Sequence, residues 1–74
     1  MLPRTEIETL HRGIVDAEEL AVDQDIEAGY RCLLAGLHRA REAEEDGEPW
    51  GVDLVTAWHE ACEAYAERYG ISRA

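Results

Sequence analysis

The chain has 74 residues and a formal net charge of -10 at pH 7, with 17 acidic side chains against 7 basic ones, all of them arginine. Direct binding to nucleic acid usually rests on neutralising phosphates with Lys and Arg, so this charge argues against DNA, RNA and anionic lipid as ligands. An acidic surface instead favours a basic protein partner, or a protein that imitates the charge of nucleic acid.

The length predicts a single small domain, residues 1–74, whose one core buries little more surface than is needed to offset chain entropy. Self-association or a partner is therefore expected. No run of the sequence approaches the roughly 18 apolar residues of a membrane span, and no apolar signal segment stands at the N-terminus. These features predict a cytoplasmic protein that does not bind membranes.

The first predicted helix covers about residues 6–22. Thr5 and Glu8 have the capping-box spacing, which predicts a helix beginning near Glu6 and ending near Val22. Apolar residues follow at the three- and four-residue steps of an amphipathic helix: Ile7, Leu10, Ile14, Ala17 and Ala21, with Val15 and Leu20 beside them.

The second predicted helix covers about residues 24–46, and its apolar stripe consists of Ile26, Tyr30, Leu33, Leu34, Leu37 and Ala40. If the first helix continued without a break, Ile26 would lie on nearly the opposite face from Ala17. This change of face predicts a tight turn in residues 21–25. Asp23 or Asp25 would then cap the second helix, and one long bent helix is the alternative. Asp46-Gly47 is a typical helix end.

The third predicted helix covers about residues 52–69, with Asp53 as its expected N-cap and Gly70 as its C-cap residue. Ile71 is expected to fold back onto the end of this helix. The stripe consists of Leu54, Val55, Trp58, Ala61, Cys62, Tyr65 and Tyr69. Because short connections make consecutive helices antiparallel neighbours, the sequence predicts an all-α, up-down-up three-helix bundle, which two chains could pair into a helical dimer.

Part of the second helix resembles a tetratricopeptide repeat. Asp25-Ile26-Glu27-Ala28-Gly29, continuing to Leu33 and Gly36-Leu37, is similar to the second helix of such a repeat, and Ala17 and Leu20 fit its first helix. No second copy follows at the family's period of about 34 residues, and Arg41 stands where the family favours proline. The resemblance implies helical-hairpin packing, and we do not assign the chain to the family.

Each predicted helix carries one histidine, and an up-down-up bundle would bring His11, His38 and His59 to within about a turn of the same height. A metal-binding bundle is therefore one alternative, although only His11 has the Glu-x-x-His spacing of di-iron bundles. Each histidine lies beside its stripe, which favours half-exposed boundary residues, so no metal or other cofactor is predicted. Cys32 and Cys62 are interpreted as buried free thiols. No motif predicts an enzyme.

An acidic run closes the second helix, where the macrodipole favours Lys or Arg. A sequence that breaks a local rule without visible compensation points to a functional surface, and the alternative is a merely solvated helix end that Arg39 and Arg41 partly relieve. Trp50 follows in a turn, and Trp is enriched at interface hot spots. The predicted contact residues are Glu44, Glu45, Asp46, Glu48 and Trp50.

The sequence thus favours a non-enzymatic interaction module, an adaptor or regulator that contacts a protein partner with a basic surface. The first alternative is an inhibitor that imitates nucleic acid, as small phage-encoded and anti-defence proteins do. The second, from another class, is the metal-binding bundle described above.

Overall fold

The computed structural model describes residues 2–72 and contains three helices, α1 (Arg4–Val22), α2 (Ile26–Glu45) and α3 (Gly51–Tyr69). The prediction of an all-α, up-down-up arrangement is confirmed, and so is the separation of α1 from α2. The helix bounds lie within two residues of those predicted. None of these helices combines the length and apolar character that crossing a bilayer requires.

The three helices end in the same way, in a turn that places one residue in the left-handed region. Gln24, Gly47 and Gly70 have φ values of +67°, +83° and +68°. The next residue donates its N–H back into the helix: Asp25 to Leu20, Glu48 to Ala43, and Ile71 to Ala66. These bonds satisfy carbonyls that would otherwise lack partners, and they fix short connections between antiparallel helices.

The helix starts were predicted less well than the ends. Asp25 caps α2 as expected, accepting a hydrogen bond from the Ala28 N–H at 3.3 Å. The capping box at Thr5 was wrong, because α1 already begins at Arg4 after Pro3, whose carbonyl accepts from two amides of the first turn. Asp53 was also wrong as the cap of α3. Trp50 occupies that position, and Asp53 lies within the first turn.

The helices form a flat layer with α2 in the middle, and the molecule measures 37 × 26 × 14 Å. Helix α2 packs extensively against both neighbours, whereas α1 and α3 touch each other only slightly. The seam between α1 and α3 is therefore open in places, with α2 as its floor. The core cluster contains Ala17, Ala21, Leu33, Leu37, Ala40, Leu54, Trp58, Cys62 and Tyr65.

Glycines on α1 and α2 make room for one large side chain of α3. The Trp58 indole is 3% exposed and lies against Gly13 and Gly36, so that a Cβ at either glycine would overlap the ring. About two turns further along α3, Tyr65 covers Gly29 and donates a hydrogen bond to the Ile26 carbonyl at 2.8 Å. Small residues facing large aromatic ones thus set the distance between the helices.

Two residues of the predicted stripes lie outside the core. Ile7 is 48% exposed and Leu34 is 39% exposed. Ile7 lies on α1, which has a single extensive neighbour, and Leu34 lies on α2, which has a helix on either side but none across the flat faces of the layer. Ile71 folds back onto the core as expected, and Cys62 is buried while Cys32 is half-buried.

Candidate interaction surface

The acidic connection between α2 and α3 is a compact turn. Gly47 takes the left-handed conformation that ends α2, and the Gly51 N–H bonds to the Glu48 carbonyl at 2.9 Å. Gly51 lies directly against the α2 backbone, since a Cβ there would stand 2.6 Å from the Cα of Glu44. This close approach holds the start of α3 and the neighbouring Trp50 against the end of α2.

A groove of about 290 Å³ opens beside this turn, at the end of the α1–α3 seam. Small residues of α2 form its floor, and aromatic and aliphatic side chains from the N-terminal half of α3 form one wall. Its apolar lining comprises Gly36, Ala40, Ala43, Trp50, Leu54 and Trp58, and its charged lining comprises Glu6, Arg39, Glu42 and Asp46. We call this feature the acidic groove.

The electrostatics of the acidic groove follow from its composition. Three carboxylates and one guanidinium border the apolar floor, which leaves a net negative rim. Glu42 and Asp46 stand at the C-terminal end of α2, where the helix dipole adds partial negative charge. A basic side chain entering the groove would meet carboxylates at the rim and apolar surface for its aliphatic stem.

The structure brings together only part of the predicted contact set. Asp46 and Trp50 line the acidic groove. Glu44 and Glu45, in the last turn of α2, and Glu48, in the connection, are exposed without lining it. Glu6 was missed by the sequence interpretation. Antiparallel packing offered the signal, because the start of α1 must meet the end of α2.

The three histidines do not form a site. His11, His38 and His59 are all exposed, and His59 Nε2 lies 3.6 Å from Oε1 of Glu63 on the same helix, an ion pair when the imidazole is protonated. Across residues 2–72, no three His, Cys, Asp or Glu side chains are grouped so that they could hold a metal ion. The geometry therefore does not favour the metal-binding alternative.

Two buried side chains have perturbed acidity. Burial raises the pKa of the Cys62 thiol, Glu63 adds to the rise, and Arg41 opposes it. Burial likewise raises the pKa of Tyr65, helped by Tyr69, Asp25 and Cys32. Since the thiolate is the reactive form of cysteine, the raised value makes Cys62 a poor nucleophile.

The acidic side chains lie on all three helices. One row is on α3, where Asp53, Glu60, Glu63 and Glu67 share one side of the helix at intervals of seven, three and four residues, about 10.5, 4.5 and 6 Å of helix rise. Phosphates of one DNA strand recur about every 3.4 Å along the axis. The row on α3 is therefore sparser than a phosphate backbone, which weakens the nucleic-acid-mimic interpretation.

Comparison of the chain with protein-family models, with curated proteins and with solved structures gave no match.

Proposed function

We propose that the protein is a non-enzymatic cytoplasmic interaction module, an adaptor or regulator that binds a positively charged segment of a partner protein in the acidic groove. The observation that carries the proposal is the pairing of an apolar floor with a carboxylate rim, at the place where Trp50 is half-exposed. Apolar contact supplies affinity, and the rim selects for charge and speeds encounter.

The occupant is expected to be a Lys- or Arg-containing segment and not a small molecule. At about 290 Å³ the groove lies just below the range of roughly 300–1,000 Å³ for clefts that enclose drug-sized ligands, and its rim is charged, which suits the side chains of a protein segment. The remaining contacts would come from Glu44 and Glu45 in the last turn of α2 and from Glu48 in the connection, which are exposed and do not line the groove. A partner that spans both features would meet six carboxylates.

Affinity capture from a cell extract, with charge-reversed variants, tests the proposal. The groove variant Glu42→Lys/Asp46→Lys is expected to lose basic proteins that the wild type retains. The control variant Glu60→Lys/Glu67→Lys makes the same change of charge on the exposed outer face of α3 and should retain them. Circular dichroism verifies that both variants stay helical.

Bound proteins should also elute progressively as salt rises, because interactions between exposed charges are screened within about a Debye length of 8 to 10 Å at physiological ionic strength. Equal recovery by the groove variant and the wild type would overturn the proposal. Equal loss in both charge-reversed variants would contradict it as well, since it would reduce the effect to overall charge.

A further inference from the structure

A second surface, independent of the acidic groove, lies on the outer side of α1. Ile7 is 48% exposed and Val22 is 79% exposed, and Val15 lies between them, half-buried and outside the core cluster. The three recur at steps of eight and seven residues and so share one side of the helix. We call them the outer stripe of α1.

Charged residues accompany the outer stripe in an order along α1 that suits a second copy. At 100° per residue, His11 and Glu18 fall within its arc, and Arg12 and Glu19 lie beside it. Arg12 and His11 lie on the N-terminal side of Val15, and Glu18 and Glu19 lie on its C-terminal side. Glu18 already contacts Arg68 of its own chain at 3.6 Å. Arg12 and Glu19 make no ion pair with any other residue of the described range 2–72.

We infer that two copies of the chain pair through the outer stripes of their α1 helices, antiparallel and around a two-fold axis at Val15. In that register Val15 meets Val15, Ile7 lies within one residue of Val22 of the second copy, and Arg12 lies within one residue of Glu19 of the second copy. The two-fold axis passes through the Val15 pair and forms each of the other two pairs twice, as an isologous interface requires. Charges that flank an apolar seam set the orientation of paired helices.

The opposite orientation is disfavoured by the same residues. Parallel helices in register would place the two copies of Arg12, and likewise of Glu19, on opposite edges of the seam, so that no Arg12–Glu19 pair could form.

Sedimentation equilibrium from micromolar to millimolar concentration tests the inference. The wild type should move from the monomer mass of 8.3 kDa towards twice that value. Val15→Glu places two carboxylates on the axis and should weaken the dimer by about tenfold or more. The control Val52→Glu, at a 60% exposed position on α3, should leave the mass unchanged.

A charge swap tests the orientation. Arg12→Glu and Glu19→Arg should each weaken the dimer, and the double variant should restore it, because the pair is then reversed and intact. A wild type that stays monomeric at millimolar concentration would overturn the inference and leave the outer stripe to a different partner. A dimer that survives Val15→Glu, or a double variant that is not restored, would overturn it too. None of these results alters the acidic groove, so the two proposals fail separately.

Discussion

Small side chains carry much of the information about packing in this protein. Gly13 and Gly36 were placed on helices by the sequence pattern, but nothing in the pattern paired them with Trp58. Sequence periodicity locates a face, whereas the residue that fills a gap on that face depends on how two helices cross. The aromatic stripe of α3 could be predicted, and its glycine partners could not.

Gly36→Ala should destabilise the protein, although alanine favours helix more than glycine does. The added Cβ would overlap the Trp58 indole, and overpacking of this kind typically costs about 1–3 kcal/mol. Chemical denaturation measures the change in the free energy of unfolding. The neighbouring exposed control Ala35→Gly reports the propensity difference alone, about 1 kcal/mol. A stabilised Gly36→Ala protein would show that the two helices do not approach this closely.

Gln24→Gly should stabilise the protein. Gln24 has a φ of +67°, a conformation that suits glycine and strains other residues, so relief of the strain should add about 0.5–1 kcal/mol to the free energy of unfolding. Gly47→Ala, at φ +83°, should lower stability by a comparable amount. If thermal melts showed Gln24→Gly to be less stable, the end of α1 would not adopt the turn described here.

The pKa of Tyr65 predicts how stability falls at alkaline pH. Because the pKa is raised in the folded state, the neutral phenol is favoured there, and its contribution to stability is fully present below the ordinary value of 10.0. That contribution should be lost as pH rises from 10.0 through the folded-state pKa. The chain contains no lysine, and Cys62, whose pKa is also raised, contributes equally to the alkaline decline of the wild type and of Tyr65→Phe.

Urea denaturation across this range, compared between the wild type and Tyr65→Phe, isolates the effect. The variant should lose about 1 kcal/mol at neutral pH with the hydrogen bond to the Ile26 carbonyl, and should show a shallower alkaline decline. Identical alkaline slopes in the two proteins would rule out a raised Tyr65 pKa.

At the scale of the helices, ends were easier to predict than starts. Asp46-Gly47 and Gly70 are strong stop signals because left-handed turns favour glycine, and both were confirmed. Thr5 and Asp53 fit the composition of an N-cap, but Pro3 and Trp50 occupy those positions. A carboxyl or hydroxyl one to three residues inside a helix produces the same sequence pattern as one at its cap.

The charge at the end of α2 predicts a gain of stability from reversing it. Glu45→Lys replaces an exposed carboxylate in the last turn of α2 with a cation. The interaction of this cation with the helix dipole should raise the free energy of unfolding by about 0.3–1 kcal/mol. Glu27→Lys makes the same change in the first turn of α2 and should have the opposite sign. Thermal denaturation at low salt measures both. If both variants shifted stability in the same direction, the dipole argument for this turn would be wrong.

At the scale of the whole molecule, the net charge and the flat shape act together. A layer 14 Å thick cannot bury all the apolar faces of its helices, which leaves the acidic groove on one side of α1 and the outer stripe on another. Composition alone predicted an acidic surface and a basic partner. The position of the groove depended on where α1 begins relative to the end of α2, which helical periodicity does not determine.

The central claim is that the acidic groove binds a positively charged segment, and an NMR titration tests it most directly. A synthetic peptide of arginine and leucine residues, added to the ¹⁵N-labelled protein, should shift the signals of Glu6, Glu42, Asp46 and the Trp50 indole N–H first. Glu42→Lys/Asp46→Lys should weaken the binding by about tenfold or more, an effect of about 1.4 kcal/mol or more. Glu60→Lys/Glu67→Lys should leave the affinity nearly unchanged. Shifts centred on the outer face of α3, or equal losses in both variants, would contradict the account.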